Sequence, residues 1–480
     1  MRTPPERVLL GLSCLAVFIV ILDATIVAVA LPDIRDDLDF SGSALPWVVN
    51  AYTLAFSGFL LIGGRCADFF GTRRMMPAGL VLFTLASLAC GLVDAPGTLL
   101  AARAVQGLGG ALLMPTTLTL LQHTFPDGPR RTRALMVWSM VGAVGSGAGT
   151  VLGGVLTDFL NWRWVFLVNV PLGVLALLVA WRVLPVSARA GRRGRIDVVG
   201  ALLATGGLTL AVYGTMESVP KGWTAPAVWG SVAGGLTLFA VFLVHQGRWA
   251  REPLVPLDIF RARSVSGANV VMFLMGLGFF ASPVLLSLYL QGVHAYSPLE
   301  AGLAFLPIAG TLMIGARGAG ALMAGHGTRR ITVGGAAIAA VGFLWLALGL
   351  GEHGSYVPSV GLPGALFGLG IGACFTPIAQ SATAGVPRER AGLASGLLNT
   401  TRQVSGAVGL AVLSTIAAEA TGSRPTPAHL AHGYAVAFAV AAGCAGAAAL
   451  AAALAMVRDH PRTSTPEPVR TPVRTGVKPR

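Results

Sequence analysis

Fourteen apolar runs of membrane-spanning length constrain this chain more than any other feature. They fall near residues 8–31, 43–63, 76–94, 97–122, 134–157 and 163–184, then 196–216 and 226–246, then 265–290, 300–323, 331–350, 357–380, 392–418 and 434–457. About 20 apolar residues in a helix cross the hydrocarbon core of a bilayer. Only helices and closed barrels can satisfy their backbone groups there. The fold class expected is therefore an all-α polytopic membrane protein with 14 transmembrane helices. Of the 480 residues, 54% are apolar and 11% charged, which leaves no polar stretch large enough for a separate enzymatic domain.

Arginine and lysine set the orientation. With both termini in the cytoplasm, the clusters at Arg73-Arg74, Arg130-Arg131, Arg192-Arg193 and Arg329-Arg330 all fall inside. Outside lie only Arg35, Arg163, Lys221 and Arg424, and three arginines, Arg103, Arg317 and Arg402, remain within spans. The formal net charge of +14 then reports contact with an anionic inner leaflet rather than a nucleic-acid partner. The first run has Arg2 and Arg7 in front and Ala28-Val29-Ala30 behind, as a signal peptide does. Its apolar part exceeds the usual ~7–15 residues and more membrane follows, so it reads as an uncleaved span. Residues 1–185 are expected to form a six-helix bundle, 186–263 two extra helices with linkers, 264–457 a second six-helix bundle, and 458–480 a disordered tail rich in Pro, Thr and Arg. The five cysteines and eight histidines make no metal spacing, and no phosphate-binding loop is present, so no cofactor, metal or catalytic centre is expected. The partners expected are a small-molecule substrate, protons and the bilayer, for a monomeric protein of the cytoplasmic membrane.

One acid stands apart. Asp23 lies well inside the first span, whereas the other acids fall in loops or at span ends. An intramembrane carboxylate costs roughly 2.5–3.5 kcal/mol on insertion scales and marks an ion or proton path by default. Pairing with a neighbouring helix for packing alone is the competing reading. Span 4 carries Arg103, Gln106, Gly107 and Gly110 along one face. An arginine in mid-bundle needs a counter-charge, and Asp23 is the acid at hand; the two are expected to share a polar network, unless Arg103 reaches an interface instead. In span 13, Asn399, Arg402, Gln403 and Gly406 share a face and are expected to line a central cavity, with packing alone as the alternative.

Gly71-Thr72-Arg73-Arg74 recurs as Gly327-Thr328-Arg329-Arg330 at the equivalent place of the second half, the mark of a duplicated bundle. The longer stretch Gly64–Arg74, with Asp68 inside, resembles the loop between helices 2 and 3 of the major facilitator superfamily. There the motif acts as a latch on the outward-open state, which assigns Gly64, Asp68, Gly71, Arg73 and Arg74 to that role; the second copy lacks the acid. Arg103-x-x-Gln106-Gly107 resembles the superfamily's fourth-helix motif, tied to proton coupling. Gly145, Gly149, Gly153 and Gly154 of span 5 follow the small-residue spacing that lets helices approach closely. They also resemble the antiporter motif, although Thr150 stands where that motif has proline.

Three further strings, Leu22–Pro32, Asn161–Gly173 and Ala394–Gln403, are similar to those of the fourteen-span drug:proton antiporters, which include quaternary-ammonium and multidrug exporters. Ala28 replaces a frequent asparagine. The resemblance implies two six-helix bundles plus two additional helices, proton-coupled export of a lipophilic or amphiphilic molecule, and a proton-handling role for Asp23. A proton-driven importer would share the fold, and Thr150 keeps it open; a membrane sensor is the other alternative.

Overall fold

The computed structural model describes residues 6–42, 44–125, 128–184, 197–384, 386, 388–422 and 426–456. The tail expected from residue 458 and most of the linker at 185–196 lie outside the described residues, as do a few helical side chains, Asp68 among them. Fourteen helices among the described residues are long and apolar enough to cross a membrane. The first six are α1 (Glu6–Leu38), α2 (Trp47–Phe70), α3 (Thr72–Leu92), α4 (Pro96–Thr124), α5 (Pro129–Phe159) and α6 (Trp164–Val183). The next two are α7 (Val198–Lys221) and α8 (Pro226–Val244). The last six are α9 (Arg263–His294), α10 (Pro298–Met323), α11 (Gly325–Gly349), α12 (Val357–Thr383), α13 (Arg388–Thr421) and α14 (Pro427–Ala455).

Local chemistry sets many of the boundaries. Proline occupies the first turn of α4, α5, α8, α10 and α14, where its missing N–H costs no helical bond. Ser297 and Glu300 close a capping box at the start of α10, and Asp197 caps α7 by accepting from the Gly200 N–H at 2.8 Å. The repeated Gly-Thr-Arg-Arg has one conformation in both halves: Gly71 turns α2 into α3 at φ 78°, and Gly327 turns α10 into α11 at φ 77°, left-handed angles that favour glycine. Helix α1 continues through Pro32 to Leu38, past the end of the apolar run.

Helices α1–α6 pack on one another, as do α9–α14, while α8 pairs with α7 and α7 lies against α2 and α13. Between the bundles, α2 meets α13 on one flank. On the other flank α5 meets α10 at one end only. There a Cβ on Gly154 would sit 2.5 Å from the Pro298 carbonyl oxygen, and one on Gly302 2.6 Å from that of Thr150. Gln291 adds a 2.9 Å bond to the Val29 carbonyl. Three- and four-residue steps from Thr150 and Gly147 lead to Val144, Met140 and Met136, and these are 52%, 56% and 59% exposed. The facing stripe on α10 behaves alike: Ala309 is in contact, whereas Met313 and Gly320 are exposed. The bundles thus close at the Pro298 end and part toward the arginine-rich end, leaving a cleft. Across the linker at that end, Arg65 donates to the Pro253 carbonyl at 3.3 Å, and Arg390 pairs with Asp258 at 2.5 Å, which holds the Asp258 carboxyl below the usual carboxylate range.

A side chain at the seam should keep the closed end apart. Cβ atoms at positions 147 and 309 lie 3.8 Å apart, within disulfide range. A Gly147→Cys/Ala309→Cys pair, with the native cysteines replaced, should cross-link readily. Adding Gly302→Leu should slow cross-linking about tenfold, in line with ~1–3 kcal/mol for overpacking; unchanged cross-linking would mean the seam accommodates leucine.

Candidate functional site

The first bundle encloses a polar cluster with no access to solvent. Asp23, Ser87, Arg103, Gln106 and Asn169, drawn from α1, α3, α4 and α6, are each fully buried. Arg103 Nη1 donates to Asp23 Oδ2 at 2.7 Å and to Gln106 Oε1 at 2.7 Å, and its Nε donates to the Val48 carbonyl at 3.0 Å. Asp23 Oδ1 accepts from Gln106 Nε2 at 2.7 Å and from Asn169 Nδ2 at 2.9 Å. Ser87 takes bonds from both amides and donates to the Phe166 carbonyl at 3.0 Å. The guanidinium lies 4.4 Å from the Tyr52 ring centroid and 5.5 Å from that of Phe166. Every group facing Asp23 is a donor, so the site is built for the carboxylate form. Asn169 Oδ1 is the exception, a buried acceptor without a partner.

Sequence position explains the convergence. Arg103 and Gln106 are three residues apart on α4 and so share a face. Gly107 and Gly110 on the next face of α4 let α2 approach, with Phe56 3.0 Å from where a Cβ on Gly110 would be. Gly145, Gly149 and Gly153 of α5 sit against Phe18, Thr25 and Ile26 of α1, a close contact of the small-residue kind. Gly154 turns away from them, to the second bundle. The pairing of Asp23 with Arg103 is as the charge census anticipates. Asp23 lies inside the bundle, its oxygens bonded by Arg103, Gln106 and Asn169. Asn169, Ser87 and Tyr52 are the members that sequence reasoning missed; an asparagine inside the apolar run of span 6 was the available signal.

In the second bundle, Asn399, Arg402 and Gln403 are each partly exposed. Thr401 and Ser405 of α13 make the contacts to α9, Gly396 meets Leu61 of α2, and Thr415 bonds to α7. At 3.6 residues per turn, Arg402 and Asn399 fall between the first two contact faces and away from the third. Arg402 has no hydrogen-bond or ion-pair partner among the described residues, and its Nε is buried. Arg317 is exposed near the arginine-rich end of α10. In the Gly64–Arg74 segment, Gly64 is half-buried, and Arg73 and Arg74 are exposed without a described partner.

Two bundles with a cleft between them, and ionised side chains held inside the membrane-spanning part, define a membrane transporter and not an enzyme. The family model for the Major Facilitator Superfamily matches residues 13–410, and this chain belongs to that superfamily. It is 44% identical over 439 residues to the cephamycin export protein CmcT of Amycolatopsis lactamdurans, covering 91% of this chain and 90% of that protein. It is 38% identical to the puromycin resistance protein pur8 of Streptomyces alboniger, covering 88% and 86%. The tetracenomycin C resistance and export protein of Streptomyces glaucescens is 34% identical over 88% of this chain and 78% of its own length. Among solved structures, a peptide transporter POT in complex with sulfate superposes with a TM-score of 0.69 at 17% identity over 94% of each chain, which supports the fold alone.

Removing one member of a buried pair leaves the other charge uncompensated, a loss of about 3–5 kcal/mol. Arg103→Gln should therefore lower the unfolding midpoint in detergent markedly. Adding Asp23→Asn should recover part of it, and strictly additive losses would show that the two do not stabilise one another.

Proposed function

We propose that this protein exports lipophilic or amphiphilic small molecules, antibiotics or drugs among them, across the cytoplasmic membrane in exchange for protons. The export of such molecules is supported by relatives named for antibiotic export or resistance that match nearly the whole chain. Coupling to protons rests on one observation: a carboxylate sealed in the first bundle, paired at 2.7 Å with an arginine.

Asp23 is the proton carrier and Arg103 its counter-ion. Taking up a proton removes the charge attraction to Arg103 and turns one carboxyl oxygen into a donor. Asn169, whose amide N–H already bonds Asp23, carries a buried oxygen with no partner of its own that can take this proton's bond after a small rotation. Gln106 and Ser87 hold both amides and the guanidinium in register through either state. Helix α1 carries Asp23 and also packs on α5, α9 and α10. A change in its pairing therefore acts directly on the seam where the bundles close. Each charge moved through 100 mV is worth about 2.3 kcal/mol, enough to drive a steep cargo gradient.

The remaining residues take supporting parts. Gly145, Gly149 and Gly153 provide the α1–α5 sliding surface and Gly154 the closed seam. Asn399, Arg402 and Gln403 line the cargo path. Gly64, Asp68, Gly71, Arg73 and Arg74 latch the opposite state, at the end where the cleft here opens and where Arg73 and Arg74 are exposed. Orientation by the positive-inside rule makes this the cytoplasmic end, from which cargo would enter.

Proteoliposomes given a pH gradient should accumulate one or more of Nile red, ethidium and N-dansyl-leucine, and a proton ionophore should abolish it. Asp23→Asn/Arg103→Gln, whose charges are both removed, should lose gradient-driven accumulation at least ~10-fold while keeping exchange of probe for probe. Uphill accumulation with no pH or voltage difference would refute proton coupling.

A further inference from the structure

The two bundles differ in their charge bookkeeping. In the first, Arg103 is neutralised by Asp23. In the second, Arg402 stands in span Leu393–Thr421 with no acid to meet it among the described residues. It lies about 13 Å along the helix from Leu393 at 1.5 Å per residue, well inside the hydrocarbon layer. An unpaired guanidinium at that depth is costly, and so is a buried donor without an acceptor. The position is held firmly, not left slack. Thr401 donates to Asn269 Oδ1 at 2.7 Å, and Ser405 packs against Gly276, so the residues flanking Arg402 pin α13 to α9. Among the described residues no acid supplies a negative charge at this depth, since Asp23, the acid deep in a span, is bound to Arg103.

We propose that Arg402 is the anchor for an anionic oxygen group of the cargo, a carboxylate or its equivalent, with the lipophilic part of the molecule in the cleft between the bundles. Guanidinium suits this role because its planar fork gives a carboxylate two parallel bonds. The preferred cargo is then an amphiphilic anion. This deepens the export reading and rests on it for the word cargo, but the binding site itself stands on the unpaired cation.

Three probes of one fluorophore separate the possibilities: N-dansyl-leucine, an anion; its methyl ester, neutral; and dansylcadaverine, a cation. Binding is read by dansyl anisotropy on the purified full-length protein, and export in proteoliposomes. Wild type should bind the acid at least ~10-fold more tightly than the ester, the scale of a charge-assisted bond. Arg402→Gln should erase that preference while ester binding stays within about twofold; Arg402→Lys should keep part of it, as a point charge without the fork. Phenylglyoxal modification of Arg402 in wild type, mapped by mass spectrometry, should be protected by the acid and not by the ester. That arm holds even if Arg402→Gln fails to fold. Equal binding of acid and ester, preference for dansylcadaverine, or no protection at Arg402 would overturn the assignment. Selective binding without export of any probe would overturn the export reading and leave the anion site standing. Export of the ester or cation without preference for the acid would do the reverse.

Discussion

The Asp23–Arg103 pair is the constraint on which the first bundle depends. Neither charge is tolerable alone at that depth: each costs several kcal/mol to strip of water, and only close pairing with full hydrogen bonding offsets it. The pair therefore dictates that α1 and α4 lie side by side, with the residues at 23 and 103 level. Gln106, Asn169 and Ser87 then bring α3 and α6 into the same register. Packing by apolar side chains would not specify this so sharply, since lipid tails and leucine are equally good company. A charge pair with defined donors has one satisfactory geometry. It is also the kind of interaction that a single proton can undo.

Close approach of backbones is the second organising feature. Gly145, Gly149 and Gly153 let α5 lie against α1, and Gly154 with Gly302 lets the bundles meet. Small residues bury little and lock little. Contacts of this sort can be made and broken as rigid bodies rock, which side chains interlocked across the seam would resist. The exposed Met136, Met140 and Val144 continue the same stripe, so the surface that closes one end is extended by a surface that the other end leaves open. Helix α1 carries Asp23, lies against helices of both bundles and connects the two features. Among the described residues the deep charge is balanced in the first bundle and unpaired at Arg402 in the second.

Much of this was legible in the residues. Fourteen spans follow from apolar length, because a bilayer demands it and nothing else in a chain this apolar competes. The pairing of Asp23 and Arg103 follows from scarcity: a lone deep acid and a deep arginine in the same half have few other partners. The Gly71 and Gly327 turns were visible as a repeated tetrapeptide. Membership of the Major Facilitator Superfamily was readable from the loop and fourth-helix motifs together.

Other features needed the assembled structure. Hydropathy cannot distinguish a wall of a cleft from the inside of a bundle; only the assembled helices show Asp23 bonded to protein donors within the first bundle. Asn169 and Ser87 join the cluster through contacts more than 80 positions apart along the chain, which no local pattern encodes. Gly154 departs from the face of its neighbours by one helical step, and only the position of Pro298 shows what it serves. Sequence alone determined how many helices cross the membrane and which charges must be satisfied, because both are set by the cost of polar groups in hydrocarbon. Tertiary structure decided which charges satisfy one another and which is left free, because that depends on the distances between helices that the chain order does not contain.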